Sequence, residues 1–118
     1  PFVSSVRGKD FVIIPYTLRN NDISNIEGRN WSPDQYLAQL KAEFDQLYAE
    51  GANKRRMMSV SLHDRIGGAP SIVHVVDEFI TYAKQHKGVV FMRKDEIANM
   101  VKYDPNTPHD DSEIEYNK

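Results

Sequence analysis

The sequence contains no cysteine, which excludes disulfides and thiolate metal sites and is compatible with a reducing compartment, so we expect a cytoplasmic location. No apolar run approaches the roughly 18 residues of a membrane-spanning helix, so we expect no membrane partner. The formal net charge is only -2 and the basic residues are scattered apart from Lys54, Arg55 and Arg56. This pattern argues against extended binding to a phosphate backbone, and we expect no nucleic-acid partner.

The composition is that of an ordinary globular protein, with 40% hydrophobic and 27% charged residues among 118. This length suits one modest domain, which we place at residues 1–103. From Asp104 the chain becomes polar and acidic, which predicts a tail over residues 104–118. Because Pro1 is followed at once by the β-prone pair Phe2 and Val3, we expect the chain to be a piece of something longer.

The pattern along the chain predicts a β-hairpin followed by alternating helices and strands. Gly8 supplies the positive φ of the hairpin turn, and Ser32, Pro33 and Gln35 form an N-terminal capping box. Apolar residues at helical spacing indicate that the two long helices each bury one face. The expected elements are strands 2–6 and 11–16, a loop 17–29, a helix 32–50, a strand 57–62, a helix 71–86, a strand 89–91 and a helix 95–101.

Strands that alternate with long helices indicate right-handed βαβ units and a parallel sheet, so the expected class is α/β. In such sheets ligands bind at the carboxyl ends of the strands. His63, Asp64 and Arg65 follow the predicted strand 57–62 directly. We therefore expect a site at this end of the sheet.

His63 at the rim of the sheet suits a general acid or base. Asp64 could orient its ring, and Arg65 could hold the same carboxylate or a substrate oxygen. A surface ion pair between Asp64 and Arg65, beside a simple loop histidine, explains the same three residues. Both interpretations stay open.

Two further groups of residues would lie near this site. Asn21 and Asp22 follow the second hairpin strand, and we predict that they bind substrate with Arg65, although both are also common turn formers. Gly67 and Gly68 could let the backbone approach a ligand or could simply form a tight turn. No histidine pair has metal-ligand spacing, so we expect no metal and no cofactor in this chain.

Three segments together resemble the polysaccharide deacetylase superfamily (NodB-like), in its C-terminal part. They read FVIIPYTLRNND, FDQLYAEGA and MMSVSLHDRIGGAPSIVHVVDEFITYAKQHKGVVFMRKDEIA. The most similar branch holds cofactor-independent allantoinase and the peptidoglycan deacetylase-like proteins. The resemblance covers about residues 1 to 101, and it lies in the order of the segments rather than in a single motif.

The resemblance implies a distorted (β/α)7 barrel that hydrolyses a carbon–nitrogen bond other than a peptide bond. The implied substrates are an amino-sugar polymer or a small amide or ureide. The late Leu-x-His motif of the family falls on Leu62 and His63, although Ser61 stands where its leucine is expected. By this resemblance His63 is the general acid that protonates the departing amine.

Other parts of the family pattern are missing. There is no counterpart of the early Asp-Asp motif or of the paired-histidine metal motif, and Ile13 stands where an Arg-x-Pro-Tyr motif would need arginine. We therefore expect an incomplete barrel whose partner is the remainder of the barrel or another copy of the chain. The isolated chain would be inactive, and a full-length parent could use a divalent metal. The alternative is a non-catalytic remnant or association subunit with an α/β fold.

Overall fold

The computed structural model describes residues 1–110 of the chain. In chain order its elements are β1 (Phe2–Val6), β2 (Lys9–Ile13), a 3-10 turn (Leu18–Asn20), a π turn (Ile23–Glu27), α1 (Pro33–Glu50), α2 (Asp64–Gly67), α3 (Val73–Lys84), α4 (Lys94–Lys102) and β3 (His109–Asp110). They belong to two compact units, one of residues 16–90 and one of residues 1–15 together with the described residues from 91 onward. The mixed α/β class predicted from the sequence is confirmed.

The terminal unit contains a three-stranded sheet in the order β2-β1-β3. The predicted hairpin is confirmed, since β1 and β2 pair antiparallel with Phe2 opposite Ile13. Its turn is shorter than predicted, because only Arg7 (φ 51) and Gly8 (φ 70) lie outside the strands. A two-residue turn with positive φ at both positions matches the twist of paired strands.

Part of the predicted polar tail joins this sheet. His109 pairs parallel with Val3, and the Val3 N–H donates to the Pro108 carbonyl at 2.9 Å. The Thr107 hydroxyl donates to the Val101 carbonyl at 2.8 Å. The free edge of β1 offers backbone groups that need partners, and this short segment supplies them. The rest of the predicted tail, from residue 111, lies outside the described residues.

The short helix predicted at residues 95–101 is confirmed as α4, although one of its predicted core residues is wrong. Val101 is buried at 5% exposure and Ile97, one turn before it, is half-buried. Met100, which we expected to face inward, is 37% exposed. Residues at i and i+4 share a helix face, so the buried face runs through Ile97 and Val101 and leaves Met100 at its side.

The core of the second unit lies between α1 and α3, as the two apolar stripes predicted. It consists of Tyr36, Leu40, Phe44, Val75, Phe79 and Ala83. The predicted capping box is confirmed: Ser32 Oγ accepts from the Gln35 N–H, and the Gln35 side chain accepts from the Ser32 N–H. The boundary of α1 at Glu50 is also as predicted.

The two predicted inner strands are wrong. In the segment 57–62 only Ser61 pairs, through a single parallel bridge to Asn21, and residues 89–91 form no strand, with Val90 72% exposed. Extended segments become strands only where a neighbour satisfies their backbone groups, and the described residues supply one such neighbour, at Asn21. The predicted loop 17–29 is also wrong in part, since it contains the 3-10 and π turns.

Within residues 1–110 we find no helix that is both long enough and apolar enough to cross a membrane.

Candidate functional site

The candidate site forms where the bridge between Asn21 and Ser61 joins two distant segments of the second unit. The Asp22 N–H donates to the Ser61 carbonyl at 3.1 Å, and the Ser61 N–H donates to the Asn20 carbonyl at 3.3 Å. These bonds fix the register between the segments. Asp22, one residue after Asn21, and His63, two residues after Ser61, are thereby brought together.

Asp22 is fully buried and both of its carboxylate oxygens are occupied. Oδ1 accepts from His63 Nδ1 at 2.7 Å and from the Ile23 N–H at 2.7 Å. Oδ2 accepts from the His63 N–H at 2.7 Å and from the Gly67 N–H at 2.9 Å. Asp22 therefore holds the backbone and the ring of His63 at the same time.

The electrostatics of Asp22 favour its ionised form. Burial raises the pKa of its carboxyl group, but the hydrogen bonds from the His63 ring and from the N–H groups of His63, Gly67 and Ile23 together lower that pKa below its usual value. An ionised carboxylate can only accept hydrogen bonds, so we assign the proton of the His63 ring to Nδ1. Proton exchange with a ligand must then occur at Nε2.

His63 lies at the boundary between this buried network and the surface. It is the residue that precedes α2, and its side chain is 42% exposed, whereas that of Asp22 is 0% exposed. The Nε2 atom has no hydrogen-bond partner among residues 1–110. The ring is thus anchored at one nitrogen and open at the other.

The close approach of α2 to Asp22 depends on a glycine at position 67. A Cβ at Gly67 would lie 3.0 Å from Asp22 Oδ2 and 3.0 Å from Leu62 Cδ2. Both distances are shorter than ordinary van der Waals contact, so a side chain would push on the carboxylate that positions His63. We considered that Gly67 either lets the backbone approach a ligand or forms a tight turn. The structure supports a close approach, but the group approached is the buried Asp22 carboxylate and not a ligand.

Arg65 pairs with Glu27, at the end of the π turn. Its two terminal nitrogens donate to the two carboxylate oxygens, Nη1 to Oε1 and Nη2 to Oε2, the latter at 3.1 Å. The hydrogen bonds from Arg65 lower the pKa of Glu27, and the bond to Glu27 raises the pKa of Arg65. Both side chains are exposed.

A second buried network supports the Asp22 segment. The fully buried Tyr36 donates its hydroxyl to the Asn20 carbonyl at 3.1 Å, and Asn20 Nδ2 donates to Glu43 at 2.7 Å. Asn25 Nδ2 donates to the Arg19 carbonyl at 2.7 Å. Burial first, and then the negative charge of Asp22, raise the pKa of Tyr36, so its hydroxyl stays a proton donor.

The structure brings together some of the predicted site residues and separates others. His63 and Asp22 are in direct contact. Asn21 is buried, and its Oδ1 accepts from the Ile23 N–H at 3.1 Å. The idea that Asp64 orients the His63 ring is wrong, because Asp22 does so and Asp64 accepts from the Arg65 N–H at 2.7 Å.

Two contributors were missed from the sequence, Glu27 as the partner of Arg65 and Tyr36 as the support of Asn20. Neither has a local signal, since Glu27 lies in a polar segment and Tyr36 fits an apolar stripe of α1.

Apart from this site, an open groove of about 530 Å³ lies along α1. Its lining is Thr17, Arg19, Gln39, Ala42, Glu43, Gln46 and Leu47, and it includes no predicted site residue.

Residues 1–110 contain no group of three or more histidine, cysteine, aspartate or glutamate side chains that could hold a metal ion. The donor set that a resident divalent metal would need is therefore not present in the described part of the chain, and we derive no step through a metal.

Comparison with known proteins finds relatives that are named as polysaccharide deacetylases or as allantoinase. No family model matches the chain. A Schizosaccharomyces pombe protein assigned as a polysaccharide deacetylase is 28% identical over 92 residues, which cover 76% of this chain and 29% of that protein. The crystal structure of a probable polysaccharide deacetylase from Pseudomonas aeruginosa PAO1 superposes with a TM-score of 0.71 at 40% identity, covering 77% of this chain and 31% of that one.

The crystal structure of Puue allantoinase is also similar, with a TM-score of 0.72, 42% identity, and coverage of 78% of this chain and 31% of that one. This chain therefore spans less than a third of the length of each of these relatives. Sequence and fold agree over about three quarters of its own length, and the chain belongs to the polysaccharide deacetylase (NodB-like) superfamily.

Proposed function

We propose that this chain is the C-terminal part of a hydrolase that cleaves carbon–nitrogen bonds other than peptide bonds, with His63 as its general acid. The observation that carries the proposal is the contact of Asp22 with His63 at 2.7 Å, which leaves Nε2 of a half-exposed ring free. A buried carboxylate that fixes one ring nitrogen and frees the other is the arrangement expected of a positioned proton donor.

The chemistry follows from this arrangement. In its protonated form His63 donates the Nε2 proton to the substrate nitrogen as the carbon–nitrogen bond breaks and its electron pair moves to that nitrogen. The neutral amine or ureide leaves, and Nδ1 keeps its own proton, which stays hydrogen-bonded to the Asp22 carboxylate throughout. Asp22 also stabilises the imidazolium before transfer, and because it has no exposed surface it acts as a positioning residue. This replaces its predicted role in substrate binding.

The proposed substrates follow from the names of the relatives. Deacetylation of a polysaccharide and hydrolysis of allantoin both release a nitrogen that must be protonated. We therefore propose an amino-sugar polymer, or a small amide or ureide, as the substrate class of the whole enzyme. Asn21 is buried and is proposed to shape the substrate pocket through the backbone.

The remaining catalytic parts are assigned to a longer parent. Its other segments would complete the (β/α)7 barrel and supply the base and the nucleophilic water, with a divalent metal if the parent uses one. A homo-oligomer is the second way to complete the site. The chain by itself would be inactive, because a proton donor alone leaves the nucleophile unprepared. The absence of cysteine favours a cytoplasmic parent.

The test uses the native gene product that contains this chain, with purified His63→Asn compared against His74→Asn, an exposed histidine on α3. We expect His63→Asn to lower kcat for amide or ureide hydrolysis by about 10²- to 10⁴-fold with KM nearly unchanged, and His74→Asn to change neither constant. Unchanged turnover in His63→Asn would refute the proposal. A native product of this length alone, without hydrolytic activity, would favour the association subunit.

A further inference from the structure

We propose that the ion pair between Glu27 and Arg65 is a positioning device for His63, so that Arg65 acts through Glu27 and not on the substrate. The catalytic consequence rests on the proposed function, whereas the structural link can be tested without it. The starting observation is that two separate contacts, Asp22 with His63 and Glu27 with Arg65, join the same two short elements.

The two contacts lie at opposite ends of the π turn. Asp22 directly precedes the turn and accepts from the N–H of its first residue, Ile23, while Glu27 is its last residue. On the other side His63 directly precedes α2, and Arg65 is the second residue of α2. The π turn is therefore attached at both of its ends to the segment that carries the proposed proton donor.

The bonds of Asp22 to His63 and Gly67 all lie at one end of the π turn, so the Glu27–Arg65 pair is the contact that restrains its other end. The π turn is a single turn, closed by the Gly28 N–H donating to the Ile23 carbonyl at 2.9 Å, and single π turns are frequent at functional sites. The guanidinium of Arg65 is planar and meets the planar carboxylate of Glu27 through two parallel hydrogen bonds. Such a pair restrains orientation as well as distance.

The hydrogen bonds that Arg65 makes with Glu27 weigh against the predicted role of Arg65 as a substrate ligand. Two of the five N–H groups of the guanidinium already donate to Glu27, so a substrate oxygen could use only the remaining N–H groups, in the orientation that Glu27 sets. Among the hydrogen bonds of the described residues, the neighbouring Asp64 bonds the backbone N–H of Arg65 and not its guanidinium. Both side chains of the pair are exposed, so removing one leaves no buried charge and we expect the variants to fold.

The first test measures His63 in the full chain by ¹⁵N NMR, through the exchange of its Nδ1 proton with water. We expect Glu27→Gln and Arg65→Met each to speed this exchange by about two- to fivefold, as loss of an exposed pair allows. The charge swap Glu27→Arg with Arg65→Glu should restore slow exchange. The matched control is Arg93→Met, which removes an exposed pair with Asp95 in the other unit and should leave the signal unchanged.

A reversible version of the test needs no substitution. Raising the salt concentration screens the exposed pair, so we expect faster exchange of the Nδ1 proton in the unaltered chain and no further salt effect in Arg65→Met. Equal exchange in all variants, at low and high salt, would overturn the proposed link. This outcome would leave the general-acid role of His63 intact, so the two proposals can fail separately.

The second test measures kinetics in the native gene product. As a positioning pair, Glu27→Gln and Arg65→Met should lower kcat by the same factor with KM unchanged, the double variant should be no worse, and the charge swap should recover activity. A rise in KM for Arg65→Met that Glu27→Gln does not share, with no recovery on charge swap, would instead identify Arg65 as a substrate ligand.

Discussion

Asn21 and Ser61 form a one-residue parallel bridge, and this bridge determines which side chains meet at the site. The bridge holds the two segments side by side, so that Asp22, directly after Asn21, lies near His63, two residues after Ser61. Asp22 and His63, which lie 41 residues apart in the sequence, reach a separation of 2.7 Å in this way. The predictions below test the parts of this arrangement one at a time.

Replacing Asp22 by asparagine should change the tautomer of His63. The amide keeps the shape of the carboxylate, but its NH₂ group must replace one oxygen. At Oδ2 it would face two backbone N–H groups, of His63 and Gly67, whereas at Oδ1 it would face one, of Ile23, and could donate to His63 Nδ1. We expect the neutral ring to shift its proton from Nδ1 to Nε2, as measured by ¹⁵N chemical shifts at alkaline pH. In the native gene product kcat should fall by about 10²- to 10⁴-fold.

The control for this variant is Asp64→Asn, an isosteric change next to His63 at an exposed carboxylate. Asp64 accepts only from the Arg65 N–H among the bonds of the described residues, so the His63 tautomer should not change. A tautomer that is the same in all three proteins would contradict the assigned role of Asp22.

Substituting Gly67 by alanine should destabilise the second unit and disturb His63. The added methyl group would meet Asp22 Oδ2 at 3.0 Å, and this carboxylate cannot move away without losing its bonds to backbone N–H groups. We expect the free energy of unfolding to fall by about 1–3 kcal/mol, the usual range for overpacking. Urea unfolding measures this change, and ¹⁵N NMR follows the His63 ring.

The comparison variant is Gly51→Ala, which places its methyl group against backbone carbonyls at the C-terminal end of α1. Its stability also changes, but the His63 signals should stay at their original positions. Gly67→Ala with unaltered stability and unaltered His63 signals would show that the close approach is unimportant.

Replacing Tyr36 by phenylalanine should remove one buried hydrogen bond without creating a cavity. The hydroxyl donates to the Asn20 carbonyl, which also receives the Ser61 N–H that forms part of the bridge. We expect a loss of about 0.5–1.5 kcal/mol in the free energy of unfolding, measured by urea titration. Tyr48→Phe, at a 41% exposed position, should cost less; an equal or larger cost there would argue against the buried network.

Acid should weaken the fold through Asp22. Its pKa is lowered in the folded chain relative to the ordinary value of 3.8, so the unfolded chain binds the proton more readily in this range. The stabilisation is therefore complete well above pH 3.8 and is lost as the pH falls through the lower folded value. Glu27 and Glu50, whose pKa values are also lowered, act in the same direction.

Unfolding free energies measured across the acid range should thus fall with decreasing pH in the unaltered chain, and fall less steeply in Asp22→Asn. The variants Glu27→Gln and Glu50→Gln separate the smaller contributions of these two glutamates. Identical pH dependence with and without Asp22 would show that this carboxyl group has the same pKa in both states.

Features that depend on neighbours within a few residues were predictable. The capping box needs only Ser32 and Gln35, three positions apart, and the amphipathic faces of α1 and α3 repeat every turn. The hairpin was predicted from Gly8, although the predicted turn had four residues and the observed turn has two. These features follow from backbone geometry and from burial of apolar side chains, both of which act locally.

By itself, then, the sequence determined the α/β class and the long helices with their buried faces, and it led to the prediction that His63 is a site residue. Only the tertiary structure decided that Asp22 and not Asp64 holds its ring, that Arg65 pairs with Glu27 at a distance of 38 residues, and that β3 joins β1. The physical reason is that local preferences say nothing about register between distant segments. That register depends on which backbone groups find partners when the chain is packed.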